Sequence, residues 1–240
     1  MRPIGFSTGA LCYSDFRQAL QFLAGTNATA VELSALRQPE LEPLVAALPD
    51  LSVQQYKHVS VHLPSSIEPA FEAIMLDLLA RFPVGWPLIT HPNIVSLWDR
   101  WRALGGRLCI ENMDKRKPVG QTARDLREIF EKLPDATFCL DLGHAHQIDP
   151  TMGEAVLIIE AFRDRLSQLH VSEVNSESKH DPVSRESASA FSLVAHLIPE
   201  GLPTILESRL SPLSVDVIQA EIDFTADLLE SPIALELAGD

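Results

Sequence analysis

Short apolar runs that end in a polar residue recur along this chain. VSVH ends at His62, LITH at His91, LCIE at Glu111, FCLD at Asp141, LSQLH at His170 and TILE at Glu207. Glu32 closes a similar run earlier. Most gaps between these positions are about 30 residues, roughly one strand plus one helix. The runs are short and almost wholly apolar, as in a parallel sheet buried on both faces.

The pattern predicts strands over 3–7, 29–33, 58–63, 87–91, 107–111, 137–141, 166–171 and 203–207. Between them it predicts helices over 14–25 with Ser14 as N-cap, 39–48 and 67–82, the last ended by Pro83. Further helices are expected over 92–104, 121–133, 151–164, 187–198 and 213–230, the first of these opened by Pro92 and Asn93. Eight strand–helix units in 240 residues, with no linker-like tract, predict an α/β fold: a single (β/α)8 TIM barrel domain spanning 1–240. The competing open, doubly wound sheet would need a glycine-rich phosphate loop after the first strand, and GFSTGAL is not one. A barrel brings the C-terminal ends of all its strands to one rim, so the polar residues would converge on one pocket.

Their types set the chemistry. Glu111, Asp141, His170 and Glu207 end four consecutive strands. A carboxylate at the end of an apolar strand is costly unless paired or ligated. Three carboxylates and one imidazole suit Mn, Mg or Co and are usable by Zn, so a divalent metal is the expected cofactor. Two long loops, 112–120 and 172–187, lie on the same side and carry Lys115, Arg116, Lys117, Lys179 and Arg185, with Arg209 just past the eighth strand. Lys115 and Arg209 are the candidate substrate contacts, for a phosphate or carboxylate group. The plainer reading is that such loop cations are simply solvated.

The net charge of -14 opposes nucleic acid and anionic membranes and favours a small-molecule substrate. Cys109 and Cys139 lie inside apolar runs and read as buried thiols, and three cysteines are too few for a disulfide framework. A reducing cytoplasm is the expected location, since the chain opens directly into a strand and no apolar stretch approaches about 20 residues. The acidic tail ESPIALELAGD is expected to be loose or to pack on a neighbouring subunit, which leaves a homo-oligomer open.

The ordered set VSVH, LITHP, LCIEN, FCLDLGHAH, LHVSE and TILES resembles the xylose-isomerase-like barrels, which include sugar isomerases, epimerases and type IV apurinic endonucleases. The resemblance implies that Glu111, Asp141, His170 and Glu207 hold the single metal of the epimerase type. Glu111 and Glu207 would then be catalytic, moving a proton at the carbon next to a carbonyl. His144 would contact substrate, or bind a further zinc as in the endonucleases. His62 and His91 match two more zinc ligands of that branch, and His180 a third-site ligand beside His144; alternatively these histidines bind substrate. The endonuclease pattern has an Asp-x-His pair where this chain has His180 and Asp181 adjacent.

The reading favoured at this point is a divalent-metal-dependent isomerase or epimerase of a sugar, sugar phosphate or keto acid. A zinc-dependent phosphodiester hydrolase is the alternative, and a ligand-binding barrel without catalysis is a third. His58, at the opposite end of its strand, His146 and His196 are expected to be structural or without a role, as is Glu32. Trp98 and Trp101, three apart on a helix, are expected to pack in the core.

Overall fold

The computed structural model describes residues 2–13 and 15–230. The first half of the chain forms β1 (Ile4–Ser7), α1 (Thr8–Cys12), α2 (Phe16–Leu23), β2 (Ala30–Ser34), α3 (Gln38–Ala47), β3 (His58–His62), α4 (Phe71–Leu79), β4 (Leu88–Thr90), α5 (Trp98–Arg102) and β5 (Leu108–Glu111). The second half forms α6 (Ala123–Lys132), β6 (Thr137–Asp141), α7 (Leu142–Ile148), α8 (Gly153–Phe162), β7 (Leu166–Val171), β8 (Glu173–Val174), β9 (His180–Asp181), α9 (Arg185–Ala195), β10 (Thr204–Leu206) and α10 (Val215–Glu230). Eight parallel strands close in the order β1-β10-β7-β6-β5-β4-β3-β2, and β8 and β9 form a separate antiparallel hairpin. The predicted TIM barrel is therefore the observed fold, with each of the eight strands within a residue or two of its expected span.

The helices differ more. The Ser14 cap lies outside the described residues; α2 is capped by Asp15, whose side chain accepts from the Gln18 backbone N–H. The helix expected over 92–104 is broken into a 3-10 turn at Pro92–Ile94 and the short α5. The cause is a long-range competitor: the backbone N–H groups of Ser96 and Leu97 go to the Glu72 carboxylate at 2.6 and 2.9 Å. The segment 142–148, where the pattern predicts no element, is α7, capped by Asp141, whose Oδ1 accepts from the His144 N–H at 2.7 Å.

The main core lies between strands and helices. Trp101, Phe6 and Phe138 are fully buried there, and Phe130 packs on Phe162 with ring centroids 4.9 Å apart. Trp101 is a core residue as expected, though its indole N–H also donates to Glu72 at 2.6 Å. Inside the barrel, Ile89, Cys109 and Cys139 form a small apolar plug. No helix among the described residues is long and apolar enough to cross a membrane.

Candidate metal centre

Above the apolar plug the strand ends converge on Glu111, at the end of β5 and fully buried. Its Oε2 lies 3.1 Å from His62 Nε2 and 3.2 Å from His91 Nε2. Its Oε1 lies 3.3 Å from His170 Nδ1 and 3.4 Å from His144 Nδ1. Four imidazoles thus surround one carboxylate. Glu207 comes within 3.6 Å of His170 Nδ1 and 3.5 Å of His180 Nδ1.

Four groups of donor atoms lie close enough for each group to hold one ion. They are His62 with His91 and Glu111; Glu111 with Asp141, His170 and Glu207; Asp141 with His144 and His180; and Glu32 with His62 and Glu207. Glu111, Asp141, His62 and Glu207 each belong to two groups, and a carboxylate that does so can bridge two ions. All eight residues predicted as metal or substrate ligands around the strand ends are therefore brought together. The adjacent Asp181 instead accepts from the Asn175 amide at 2.7 Å, and Asp141 supplies the carboxylate of the third group.

Local structure explains these positions. The Asn112 side chain clamps the end of β6, accepting from the Asp141 N–H at 2.7 Å and donating to its carbonyl at 2.9 Å. At Gly143 a Cβ would sit 2.4 Å from the Ser172 carbonyl oxygen, so only glycine lets α7 lie this close to the end of β7. Gln147 on α7 ties both long loops down: its amide donates to the Asn175 carbonyl and its oxygen accepts from the Lys115 N–H. Asn112, Gly143 and Gln147 were not singled out from the sequence, where only the FCLDLGHAH and LCIEN motifs mark their neighbourhood.

The hydrogen-bond arithmetic tests whether metal ions fit. His62 Nδ1 lies 2.8 Å from the Leu63 carbonyl, which can only accept, so Nδ1 carries the hydrogen. A neutral His62 then turns its Nε2 lone pair toward Glu111. Two acceptors 3.1 Å apart repel unless a proton or metal ion lies between them. His144 Nδ1 likewise donates to the Asn112 carbonyl at 2.9 Å, leaving Nε2 open, and His180 Nδ1 is held by the Ser172 hydroxyl at 2.8 Å. Such second partners orient metal-binding imidazoles. Asp141 Oδ2 and His91 Nδ1 are buried without a hydrogen-bond partner among the described residues. The residues fit a cluster of divalent ions.

The electrostatics are correspondingly tense. Burial opposes charge on His62, yet Glu111, Glu32 and Glu207 outweigh it and raise its pKa to about 9. Burial lowers His91 to about 4, and burial with the neighbouring His144 lowers His180 to about 3. Burial pushes Asp141 up to about 6 and Glu207 up to about 7. Glu111 goes the other way: burial raises it, but the surrounding histidines hold it well below the ordinary carboxylate range.

The mouth is a cavity of about 690 Å³, within the range of small-molecule sites. Its wall includes Arg116, Lys117, Lys179 and Arg209. Lys117 donates to the Ser65 carbonyl at 2.8 Å, and the Arg209 guanidinium sits 5.5 Å from the Tyr13 ring centre. Of the two predicted substrate contacts, Arg209 lines the cavity. Lys115 is exposed and does not, its place being taken by Arg116 and Lys117. His196 is exposed just past the end of α9, and His146 packs edge-on against Phe191.

Residues 92–208 match the family model described as xylose isomerase-like TIM barrel. No curated protein matches the sequence. Among solved structures, endonuclease IV from Thermus thermophilus is 17% identical, with a TM-score of 0.62 over 95% of this chain and 99% of that one. The IolI protein with a bound zinc atom is 14% identical, with a TM-score of 0.62 over 98% of this chain and 100% of that one. A sugar phosphate isomerase/epimerase from Parabacteroides distasonis ATCC 8503 is 15% identical, with a TM-score of 0.54 over 96% of this chain and 94% of that one. At these identities the likeness is one of fold.

Proposed function

We propose that the protein, whose residues 92–208 match the xylose isomerase-like model, is a divalent-metal-dependent enzyme that hydrolyses a phosphoester of a small molecule. The observation that carries this reading is the sharing of Glu111 and Asp141 among three donor groups. His62 and His91 with Glu111 form a donor group beyond the four residues of a single-metal site, and a multi-ion hydrolase would use it. His62, His91, Glu111, Asp141, His144, His170, His180 and Glu207 would hold the ions. When bound, such ions supply Lewis acidity toward a phosphoryl oxygen and make water a better nucleophile.

The chain's own groups do the rest. Lys117 and Arg209, on the cavity wall, would neutralise the non-bridging oxygens of the phosphate. Their charge offsets locally the net -14 of the chain, which otherwise disfavours an anionic substrate. The buried floor excludes water and strengthens each of these interactions.

A second reading keeps the sugar isomerase or epimerase, favoured by the complete group Glu111, Asp141, His170 and Glu207. It needs Glu111 and Glu207 to alternate as bases. Glu207, raised to about 7, is suited to that work; Glu111, enclosed by four imidazoles and held low, is not. The readings separate when zinc- and manganese-loaded protein is offered p-nitrophenyl phosphate, its bis-ester and a set of sugar phosphates. Release of nitrophenol, lost in His91→Ala, supports hydrolysis. Isomerisation of a sugar phosphate that survives His91→Ala would overturn it in favour of the second reading.

A further inference from the structure

One more buried carboxylate lies deeper in the barrel, within reach of His62 and Glu207 as well as of His170. Glu32, on β2, is fully buried, and its hydrogen-bond partners among the described residues include no lysine or arginine. Its Oε2 accepts from the Ser60 hydroxyl at 2.9 Å and from the Gln168 amide at 2.7 Å, and it lies 3.2 Å from His170 Nε2. Its Oε1 has no hydrogen-bond partner among the described residues. A carboxylate in a barrel interior whose ion-pair partner is an imidazole, and whose second oxygen is unmatched, is a weak structural element, because desolvation offsets what the pair returns.

We propose that Glu32 is a positioning residue that fixes the tautomer of His170, so that Nδ1 presents a lone pair to a metal ion. This inference rests on reading the Glu111 cluster as metal ligands. His170 Nδ1 is the atom that faces Glu111 and Glu207, at 3.3 and 3.6 Å, so it is the ligating nitrogen. Its hydrogen must then sit on Nε2, and Glu32 Oε2 is the acceptor for it. Gln168 makes the arrangement sensitive. Its amide oxygen is 2.7 Å from His58 Nε2, which turns its amide nitrogen, a donor only, toward Glu32 and to within 2.8 Å of His170 Nε2; there it competes with the acceptor Glu32 Oε2, at 3.2 Å, to set which ring nitrogen carries the hydrogen. With the Glu32 charge removed, Gln168 is the remaining polar neighbour of Nε2 and donates to it. The hydrogen of His170 then moves to Nδ1, where it points at Glu111 and blocks the ligand position. His58, expected to be a plain structural residue, is thereby the outer anchor of this chain of contacts.

The test uses the full-length protein stripped of metal and titrated with cobalt(II), read by its visible absorption, with zinc-loaded protein for nitrogen-15 NMR of the His170 ring. Wild type should show the His170 hydrogen on Nε2. Glu32→Gln should weaken the ion bound by His170 about 10- to 100-fold and alter the cobalt spectrum. Adding Gln168→Glu to Glu32→Gln exchanges the two side chains, keeps composition and charge, and should restore binding. A zinc-loaded wild type with the hydrogen on His170 Nδ1 would overturn the proposal without any variant. So would a folded Glu32→Gln that binds cobalt as wild type does, or a folded double variant that stays weak. A wild-type chain that takes up neither metal would sink the metal reading itself, and the positioning role with it.

Discussion

Glu111 and Glu72 are both buried carboxylates, yet they are satisfied in opposite ways. Glu72, on α4 in the outer layer, accepts from the Ser96 and Leu97 backbone N–H groups, the Trp101 indole and the Ser96 hydroxyl. Every one of these is a donor. Glu111 meets four imidazole nitrogens, at least one of which is an acceptor in the neutral ring. A carboxylate ringed by committed donors holds a loop in place. One ringed by groups that can bind a proton or a metal is held ready for a cation.

That contrast predicts which variants break which property. Glu111→Ala should have the largest effect, lowering metal-dependent activity by at least about a hundredfold and removing bound metal, as loss of a shared ligand must; metal analysis and kinetics check it. Glu72→Ala should destabilise the fold by about 3 kcal/mol, since it leaves several donors unmatched, while metal content per folded chain stays unchanged. Denaturant unfolding measures it.

The same contrast should appear in pH. Hydrogen bonds overcome burial and hold Glu72 below the ordinary carboxylate range. Its contribution is therefore complete at neutral pH and is lost as pH falls through the folded value, so the wild type should lose its stability advantage over Glu72→Gln in acid. At the mouth, His62 at about 9 and Glu207 at about 7 must release protons to bind metal. Metal affinity should therefore rise between pH 6 and 9, by about tenfold per unit for each proton displaced, with matching proton release in calorimetry. A flat profile would remove the competition between proton and ion. Smallest of all, Arg209→Ala on the exposed rim should raise KM by about threefold to tenfold with kcat nearly unchanged, because a screened surface charge assists binding more than chemistry.

The barrel and its ring of donors were legible because both are written in strand periodicity: apart from Glu32, which lies in mid-strand, each polar residue that ends an apolar run falls at the same rim. What escaped depends on contacts between distant positions. The broken helix before β5 follows from Glu72, more than twenty residues upstream, capturing the Ser96 and Leu97 N–H groups. The helix α7 was hidden because Asp141 is both a donor in the cluster and the cap of that helix. Glu32 looked structural because its partner His170 is 138 residues away.

The most direct test of the central claim is the number of zinc ions bound per chain, measured by elemental analysis and titration, for wild type and for His62→Ala and His91→Ala. More than one ion per chain, with one lost in either variant, is the predicted result. A single ion held equally well by all three proteins would contradict the shared multi-ion cluster and leave the four residues of the isomerase type as the whole of the site.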